Sequence, residues 1–239
     1  MWADICGPLA GADDFVGKTV VDVGSGTGRI VAMLLASGAA RVVAIEPSVA
    51  FEVLQENLRG YGNRVEFLNV TGERIPPGPF DRVVSIGVLH HIPQPEPVVQ
   101  AAYHALKPGG KMLVWLYGHE GNQAYLRFVL PLRRITAKLP HWCLAVTAQA
   151  LTVAADLYTL ACRVLPLPLA DYMVNVLGKC SRDKRVLTVY DQLNPAYAKY
   201  YREDEARALL GRHGFMDIRL HHRRGYSWTV IGTKPDDTK

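Results

Sequence analysis

The chain has few cysteines, and their spacing argues against a disulfide or metal-binding framework. Only four occur in 239 residues. Cys6, Cys143, Cys162 and Cys180 form no C-x-x-C pair and show no spacing typical of metal ligands. The first residues, MWADICGPLAGADD, lack the basic segment and the apolar run of a secretory signal peptide. We therefore expect a cytoplasmic protein with reduced thiols and no metal.

The positive charge of the chain lies in one internal segment. The net charge is +5, and residues 119–186 contain nine Lys or Arg and four Asp or Glu. The rest of the chain is balanced, with 18 basic and 18 acidic residues. Because 49% of the residues are hydrophobic, the composition favours a folded chain with a sizeable core over a disordered one.

Between residues 18 and 118, apolar segments alternate with helical patterns. Strands are predicted at 19–23, 41–45, 65–69, 80–87 and 111–117, and helices near 28–37, 49–59 and 95–106. A turn at 107–110 is predicted to separate the last of these helices from the fifth strand. Two further strands are predicted at 217–223 and 226–233. The pattern indicates an α/β protein with a doubly wound, mostly parallel sheet and helices on both faces.

The segment VDVGSGTG at residues 21–28 is the most informative part of the sequence. Gly24, Gly26 and Gly28 allow positive φ and let a ligand approach the backbone. The helix that follows offers free N–H groups to an anion, which favours a nucleotide-like ligand. Arg29 stands where the dinucleotide fingerprint needs a third glycine. A dinucleotide-dependent oxidoreductase is therefore the weaker alternative.

This G-x-G-x-G spacing, with an acid two residues before the first glycine, resembles motif I of the class I S-adenosylmethionine-dependent methyltransferases. Segments after the second, third and fourth strands, and LKPGGKMLV at 106–114, follow in the order of that family. The resemblance is closest to the ubiquinone/menaquinone-biosynthesis type. It implies an enzyme with a Rossmann-like seven-stranded sheet, an antiparallel C-terminal edge and S-adenosylmethionine as the cofactor.

The resemblance also implies where the cofactor binds, at the carboxyl ends of the first four strands. It assigns the ribose hydroxyls to Glu46 with the adjoining Pro47, because a carboxylate accepts hydrogen bonds from both hydroxyls. Thr71 replaces the usual Asp of the adenine segment, so this contact is expected to pass to a backbone group or to Glu73. The complete predicted cofactor site is Asp22, Gly24, Ser25, Gly26, Gly28, Glu46, Pro47, Thr71, Gly72, Glu73, Ile86 and Gly87.

The candidate catalytic residues are His90, His91 and Tyr117. Methyl transfer from a sulfonium is an in-line displacement, so orientation and exclusion of water do most of the work. A base is needed only when the acceptor holds its proton at neutral pH, and a histidine near its usual pKa suits that task. Either histidine is the candidate base and Tyr117 a positioning residue. Structural roles for all three stay open.

The chain is predicted to divide into an S-adenosylmethionine-binding core at 1–118, a helical insertion at 119–186 and a C-terminal completion of the core at 187–239. The insertion leaves the carboxyl end of the fifth strand, beside the expected cofactor, so we expect it to form a lid. Its helix through 142–165 is apolar on both faces, which requires cover by protein or lipid. These features predict a small, apolar or lipid-like acceptor, methylated on O, N or C.

Three ways of removing the apolar faces of the insertion from water remain open. It can contact the inner face of a membrane, form a homodimer seam, or bury its apolar faces within the chain. Arg127, Arg133, Arg134 and Lys138 precede the most apolar run, as in helices that lie in an anionic lipid interface. A true membrane span is disfavoured, since the apolar run is short and meets Asp156 and Arg163.

A nucleic-acid acceptor is not expected. Asn194-Pro195-Ala196-Tyr197 resembles the Asn-Pro-Pro-Tyr motif of methyltransferases that act on amino groups of nucleic-acid bases. It lacks the second proline and lies far beyond the fourth strand, where that motif belongs. A catalytically silent S-adenosylmethionine-binding module remains the main alternative to a small-molecule methyltransferase.

Overall fold

The computed structural model describes residues 2–136, 138–193 and 197–236, so most of the motif at 194–197 lies outside the described residues. The strands are β1 (Thr19–Val23), β2 (Arg41–Ile45), β3 (Val65–Leu68), β4 (Phe80–Ile86), β5 (Leu106–Tyr117), β6 (Met216–Arg223) and β7 (Ser227–Thr233). They form one sheet in the order β3-β2-β1-β4-β5-β7-β6. β1 to β5 pair in parallel, and β7 is antiparallel to both of its neighbours. The predicted fold class is confirmed.

Helices cover both faces of the sheet. The helices are α1 (Trp2–Cys6), α2 (Arg29–Ala36), α3 (Ala50–Leu58), α4 (Glu96–Ala105), α5 (Gln123–Thr136), α6 (His141–Cys162), α7 (Ala170–Asn175), α8 (Arg182–Leu193) and α9 (Glu203–Gly211). Val20 of β1 lies in the same core cluster as residues of α1, α2 and α3, whereas its neighbour Val21 lies in a second cluster with residues of α4 and α9. Successive strand residues point to opposite faces, so the run of valines in β1 and β2 suits a sheet that is buried on both sides.

The turn predicted at 107–110 lies inside β5 instead of before it. The pairing of β4 with β5 shifts register between Phe80 and Arg82, and Gly109 takes a φ of 72° in this bulge. Lys107 pairs with Asp81, which also accepts hydrogen bonds of 2.9 Å from the backbone N–H and the hydroxyl of Thr19. Burial disfavours the Asp81 carboxylate, but the bonds from Lys107 and Thr19 outweigh burial and hold its pKa at about 2. The bulge is thereby fixed to the sheet.

Contacts within the chain define two compact units, Met1–Asn122 with Tyr197–Lys239, and Gln123–Ala196. We call them unit 1 and unit 2. The predicted bounds of the insertion, 119 and 186, are both too early. The side-chain amide of Asn122 donates to the carbonyls of Gly118 and Tyr226 and so belongs with β5 and β7. At the other end, α8 continues to Leu193 and packs on α5 and α6.

Unit 2 consists of α5, α6, α7 and α8. The inner face of α6 packs through Leu144 and Ala148 against Leu193 of α8. Arg133 is only 6% exposed, and its Nε donates to the carbonyl of Gln192 at 2.8 Å. The expectation that Arg133 contributes to a lipid-facing basic cluster is therefore wrong, because its side chain is used inside the unit to fix α5 to α8.

Candidate active site

A glycine elbow joins β1 to α2. Gly24, Gly26 and Gly28 have φ values of 76°, 54° and 95°, in the left-handed region that favours glycine. A Cβ on Gly24 would lie 2.4 Å from Val88, and one on Gly28 would lie 2.9 Å from Leu58. A Cβ on Gly26 would meet nothing within 4 Å. Close packing therefore requires glycine at positions 24 and 28. At Gly26 no side chain lies over the backbone, which is open to a ligand.

Glu46 follows β2 and lies against this elbow. Its Oε2 accepts a hydrogen bond of 2.7 Å from the N–H of Gly26, and its Oε1 accepts one of 2.9 Å from Ser48. The side chain of Asn69 donates to the Glu46 carbonyl at 2.8 Å. The carboxylate is buried, yet each of its oxygens has capacity for a further donor. It is thus held where it can receive hydroxyl groups of a ligand, with the exposed Pro47 next to it.

Asp22 is a buried acid directly below the elbow. Its Oδ2 has no hydrogen-bond partner among the residues that the structure describes. Burial, together with the negative charge of Glu46, raises the pKa of Asp22 to about 7, although Ser25 and Arg29 act in the opposite direction. The Ser25 hydroxyl itself donates to the Asp22 carbonyl at 3.1 Å. A buried carboxyl oxygen without a donor fits a site that a polar ligand completes.

The segment predicted to contact adenine crosses the end of β1. A Cβ on Gly72 would lie 2.8 Å from Val23 and 3.1 Å from Val98, so only glycine fits between the strand and α4. Thr71 and Glu73 are exposed beside it. A hydrogen bond with Thr71 lowers the pKa of the Glu73 carboxyl. The structure therefore brings all three residues to the edge of the sheet where the elbow lies.

The predicted catalytic residues come together beyond β4 and β5. Ile86 ends β4, and Gly87, with a φ of 83°, donates to the Trp115 carbonyl at 3.3 Å. His90 is fully buried, and its ring stacks on Tyr117 with centroids 3.8 Å apart. His91 is half-buried, and its Nδ1 lies 3.1 Å from the carbonyl oxygen of Tyr197.

Sequence reasoning missed the segment 197–201, which lies across these residues. Lys199 donates its N–H to the His90 carbonyl, and Tyr201 donates its N–H to the Tyr117 carbonyl, both at 2.8 Å. The Tyr200 ring stacks on Tyr117 with centroids 5.3 Å apart. His90, Tyr117 and Tyr200 therefore form one aromatic stack. The closely spaced tyrosines before α9 were the available signal, but their partners His91 and Tyr117 lie far earlier in the chain, 106 residues before Tyr197 in the case of His91.

Comparisons with known proteins agree with this geometry. Residues 21–112 match a family model described as a methyltransferase domain. A ubiquinone biosynthesis O-methyltransferase of Pseudomonas paraeruginosa is 33% identical over 128 residues, which are 52% of this chain and 54% of that protein. A tRNA U34 carboxymethyltransferase of Desulfotalea psychrophila is 32% identical over 120 residues, 48% of this chain and 37% of that protein. The chain spans about half the length of the first of these relatives.

A solved structure extends the fold comparison to nearly the whole chain. The S-adenosylmethionine-dependent methyltransferase SibL, in its apo form, matches with a TM-score of 0.58 at 19% identity, covering 98% of this chain and 56% of that one. Residues 21–112 are thus identified as a methyltransferase domain, and the matches support the predicted class I S-adenosylmethionine-dependent family. The predicted family, enzyme class and cofactor are confirmed, and the oxidoreductase alternative is set aside. The roles of individual site residues stay predictions.

The buried acid of the methyltransferase domain predicts a pH-dependent stability. Asp22 ionises near 3.8 in an ordinary environment and near 7 in the fold. The stability that its protonated form contributes is therefore complete below about pH 4 and lost as the pH rises through about 7. Asp22→Asn stays neutral, so urea unfolding should show its stability rising relative to the wild type by about 1 kcal/mol per unit between pH 5 and 7. A constant difference over that range contradicts the assignment.

Proposed function

We propose that the protein transfers a methyl group from S-adenosylmethionine to a small apolar acceptor, on an O, N or C atom. The observation that carries this proposal is the position of two groups of residues. The elbow with Glu46 lies at the carboxyl ends of β1 and β2, and the stack of His90, Tyr117 and Tyr200 lies beyond β4 and β5. Ligands of open α/β sheets bind at this edge, where the strand order reverses.

The residues of the first group fit the cofactor. Gly26 opens the backbone, Glu46 offers carboxylate oxygens to the ribose hydroxyls, and Asp22 has an unsatisfied buried oxygen. When bound, S-adenosylmethionine supplies a methyl group on a sulfonium, with a neutral thioether as the leaving group. The backbone at Ile86 and Gly87 adjoins the histidine turn, so these residues would hold the methionine end of the cofactor.

His91 suits the role of base better than His90. A carbonyl oxygen only accepts hydrogen bonds, so the contact of Nδ1 with Tyr197 requires the proton to be on Nδ1. The neutral ring then carries its lone pair on Nε2 and can take a proton there. His90 is fully buried under Tyr117, which suits a positioning residue.

The aromatic surroundings support an apolar acceptor. Trp115 and Tyr117 pack edge to face with centroids 5.6 Å apart, and Tyr200 extends the same cluster. Aromatic side chains offer a large apolar surface with few polar atoms. A quinone-type acceptor is compatible with this aromatic cluster and with the relative named for ubiquinone biosynthesis.

The ribose role of Glu46 can be separated from its role in holding the elbow. Calorimetry would compare S-adenosylhomocysteine with its 2′-deoxy analogue in the wild type and in Glu46→Ala. The wild type should prefer the ribose, because the carboxylate accepts its hydroxyl groups. The variant should bind S-adenosylhomocysteine about tenfold to a hundredfold more weakly and lose that preference.

The matched control for this experiment is Glu66→Ala, which removes a partly exposed carboxylate of β3 that pairs with Arg41. It should leave both affinities unchanged. If Glu46→Ala keeps the full preference for the ribose, the carboxylate holds only the loop and the ribose contact is wrong.

The base assignment predicts different outcomes at the two histidines. The best acceptor is first selected from small phenols, amines and carbon acids with tritiated S-adenosylmethionine. With a protonated acceptor, His91→Ala should lower kcat by about 10²–10⁴ and flatten the acidic limb of the pH profile, without loss of cofactor affinity. His90→Phe, which preserves a ring against Tyr117, should keep most of the turnover.

His104→Ala serves as the control, since His104 is exposed on α4. If His91→Ala turns over at the wild-type rate, transfer depends on proximity alone or on His90. If the wild type binds S-adenosylmethionine but methylates no member of the panel, the result favours the silent binding module.

A further inference from the structure

The outer face of α6 in unit 2 is apolar and exposed along the length of the helix. Trp142 is 72% exposed, Val146 63% and Leu157 65%, and Val153 and Leu160 complete the row. Their spacing of three, four and seven residues places all five on one side of the helix. We call this row the apolar stripe. Large exposed apolar patches mark interaction surfaces.

A groove between α6 and α8 runs beside the stripe. It contains two cavities of about 470 and 580 Å³ that share Arg182. Val153, Leu157 and Leu160 line the first cavity together with Arg163, and Leu187 lines the second. Apolar side chains and guanidinium groups thus face the same space, which suits a ligand with an anionic head and an apolar chain.

The arginines at this groove differ in their partners. Arg185 is paired with Asp156 at 2.8 Å and donates to the Cys180 carbonyl at 2.6 Å. Arg163 and Arg182 are exposed, and neither has a salt-bridge partner among the described residues. Unit 2 contains nine basic and four acidic residues, whereas the remainder of the chain is neutral. The acids Asp156 and Asp183 also line the cavities, so three arginines face two aspartates and the groove keeps a net positive charge.

The helix is suited to lie on a bilayer rather than to cross it. Among the described residues, α6 is the one helix long and apolar enough to span a membrane, with a mean hydropathy of 1.4. Its inner face, however, packs on α8 and carries Asp156 in the ion pair with Arg185. A crossing would bring that charged pair into hydrocarbon, which is unfavourable.

We propose that the apolar stripe and the adjoining groove dock unit 2 onto an anionic lipid bilayer. The stripe enters the boundary between headgroups and acyl chains, while Arg163 and Arg182 contact lipid phosphates. A second copy of the chain fits less well. A symmetric dimer sets the same patch against itself, so two faces of the same net positive charge would repel. This inference does not depend on methyl transfer.

Vesicle flotation with the full chain tests the proposal. The wild type should float with vesicles that contain phosphatidylglycerol, less with phosphatidylcholine alone, and less as the salt concentration rises. Arg163→Gln/Arg182→Gln should weaken partition into the anionic vesicles by about thirtyfold. Trp142→Gln/Leu157→Gln should abolish flotation even at low salt, and since both side chains are exposed the fold should persist.

The control is Arg212→Gln/Arg219→Gln, which removes the same charge from exposed positions of unit 1. It should float like the wild type, and all variants should keep the wild-type affinity for S-adenosylhomocysteine as a check on folding. Loss of flotation in the control equal to that in the groove variant would show a net-charge effect and overturn the proposal. A stable dimer by sedimentation with no flotation at low salt would overturn it in favour of the second copy.

Discussion

The hydrogen bonds from the backbone of Gly26 and Ser48 to the Glu46 carboxylate are the interaction on which the rest of the site depends. They join the ends of β1 and β2 and fix the elbow in a conformation that only glycine readily adopts at positions 24, 26 and 28. Val88 and Leu58 leave no room for a Cβ at Gly24 and Gly28, so larger residues do not fit at these two positions. Gly26 is then the point at which a ligand meets the backbone.

The same arrangement separates the residues proposed to bind the cofactor from those proposed to assist methyl transfer. Glu46 and Asp22 lie on the β1–β2 side, and the histidine turn lies on the β4–β5 side, braced by the segment 197–201 through hydrogen bonds to His90 and Tyr117. The segment that follows unit 2 in sequence thus completes the proposed catalytic edge of unit 1. Orientation by fixed backbone groups is what an in-line methyl transfer needs most. The role of unit 2 as a lid stays a prediction.

The features that the sequence predicted well are those encoded locally. Runs of valine gave most of the strands to within a residue or two, although β5 begins five residues before its predicted start. The glycine spacing gave the elbow that lies against Glu46. The misses all involve pairing between distant segments. The Lys107–Gly110 segment stays in the sheet because Asp81 pairs with Lys107. Arg133 turns inward because it donates to the Gln192 carbonyl on α8. Tyr200 stacks on Tyr117 although the whole of unit 2 lies between them in the sequence. No periodicity within one segment contains such information.

The central claim is that the elbow and Glu46 form the cofactor cradle, and a crystal structure with S-adenosylhomocysteine tests it most directly. The account predicts both ribose hydroxyls within hydrogen-bonding distance of the Glu46 carboxylate, with the ligand passing over Gly26. It also predicts a donor from the ligand or an ordered water on Oδ2 of Asp22. An ordered ligand elsewhere on the sheet, with Glu46 bonded only to the backbone, would contradict the account.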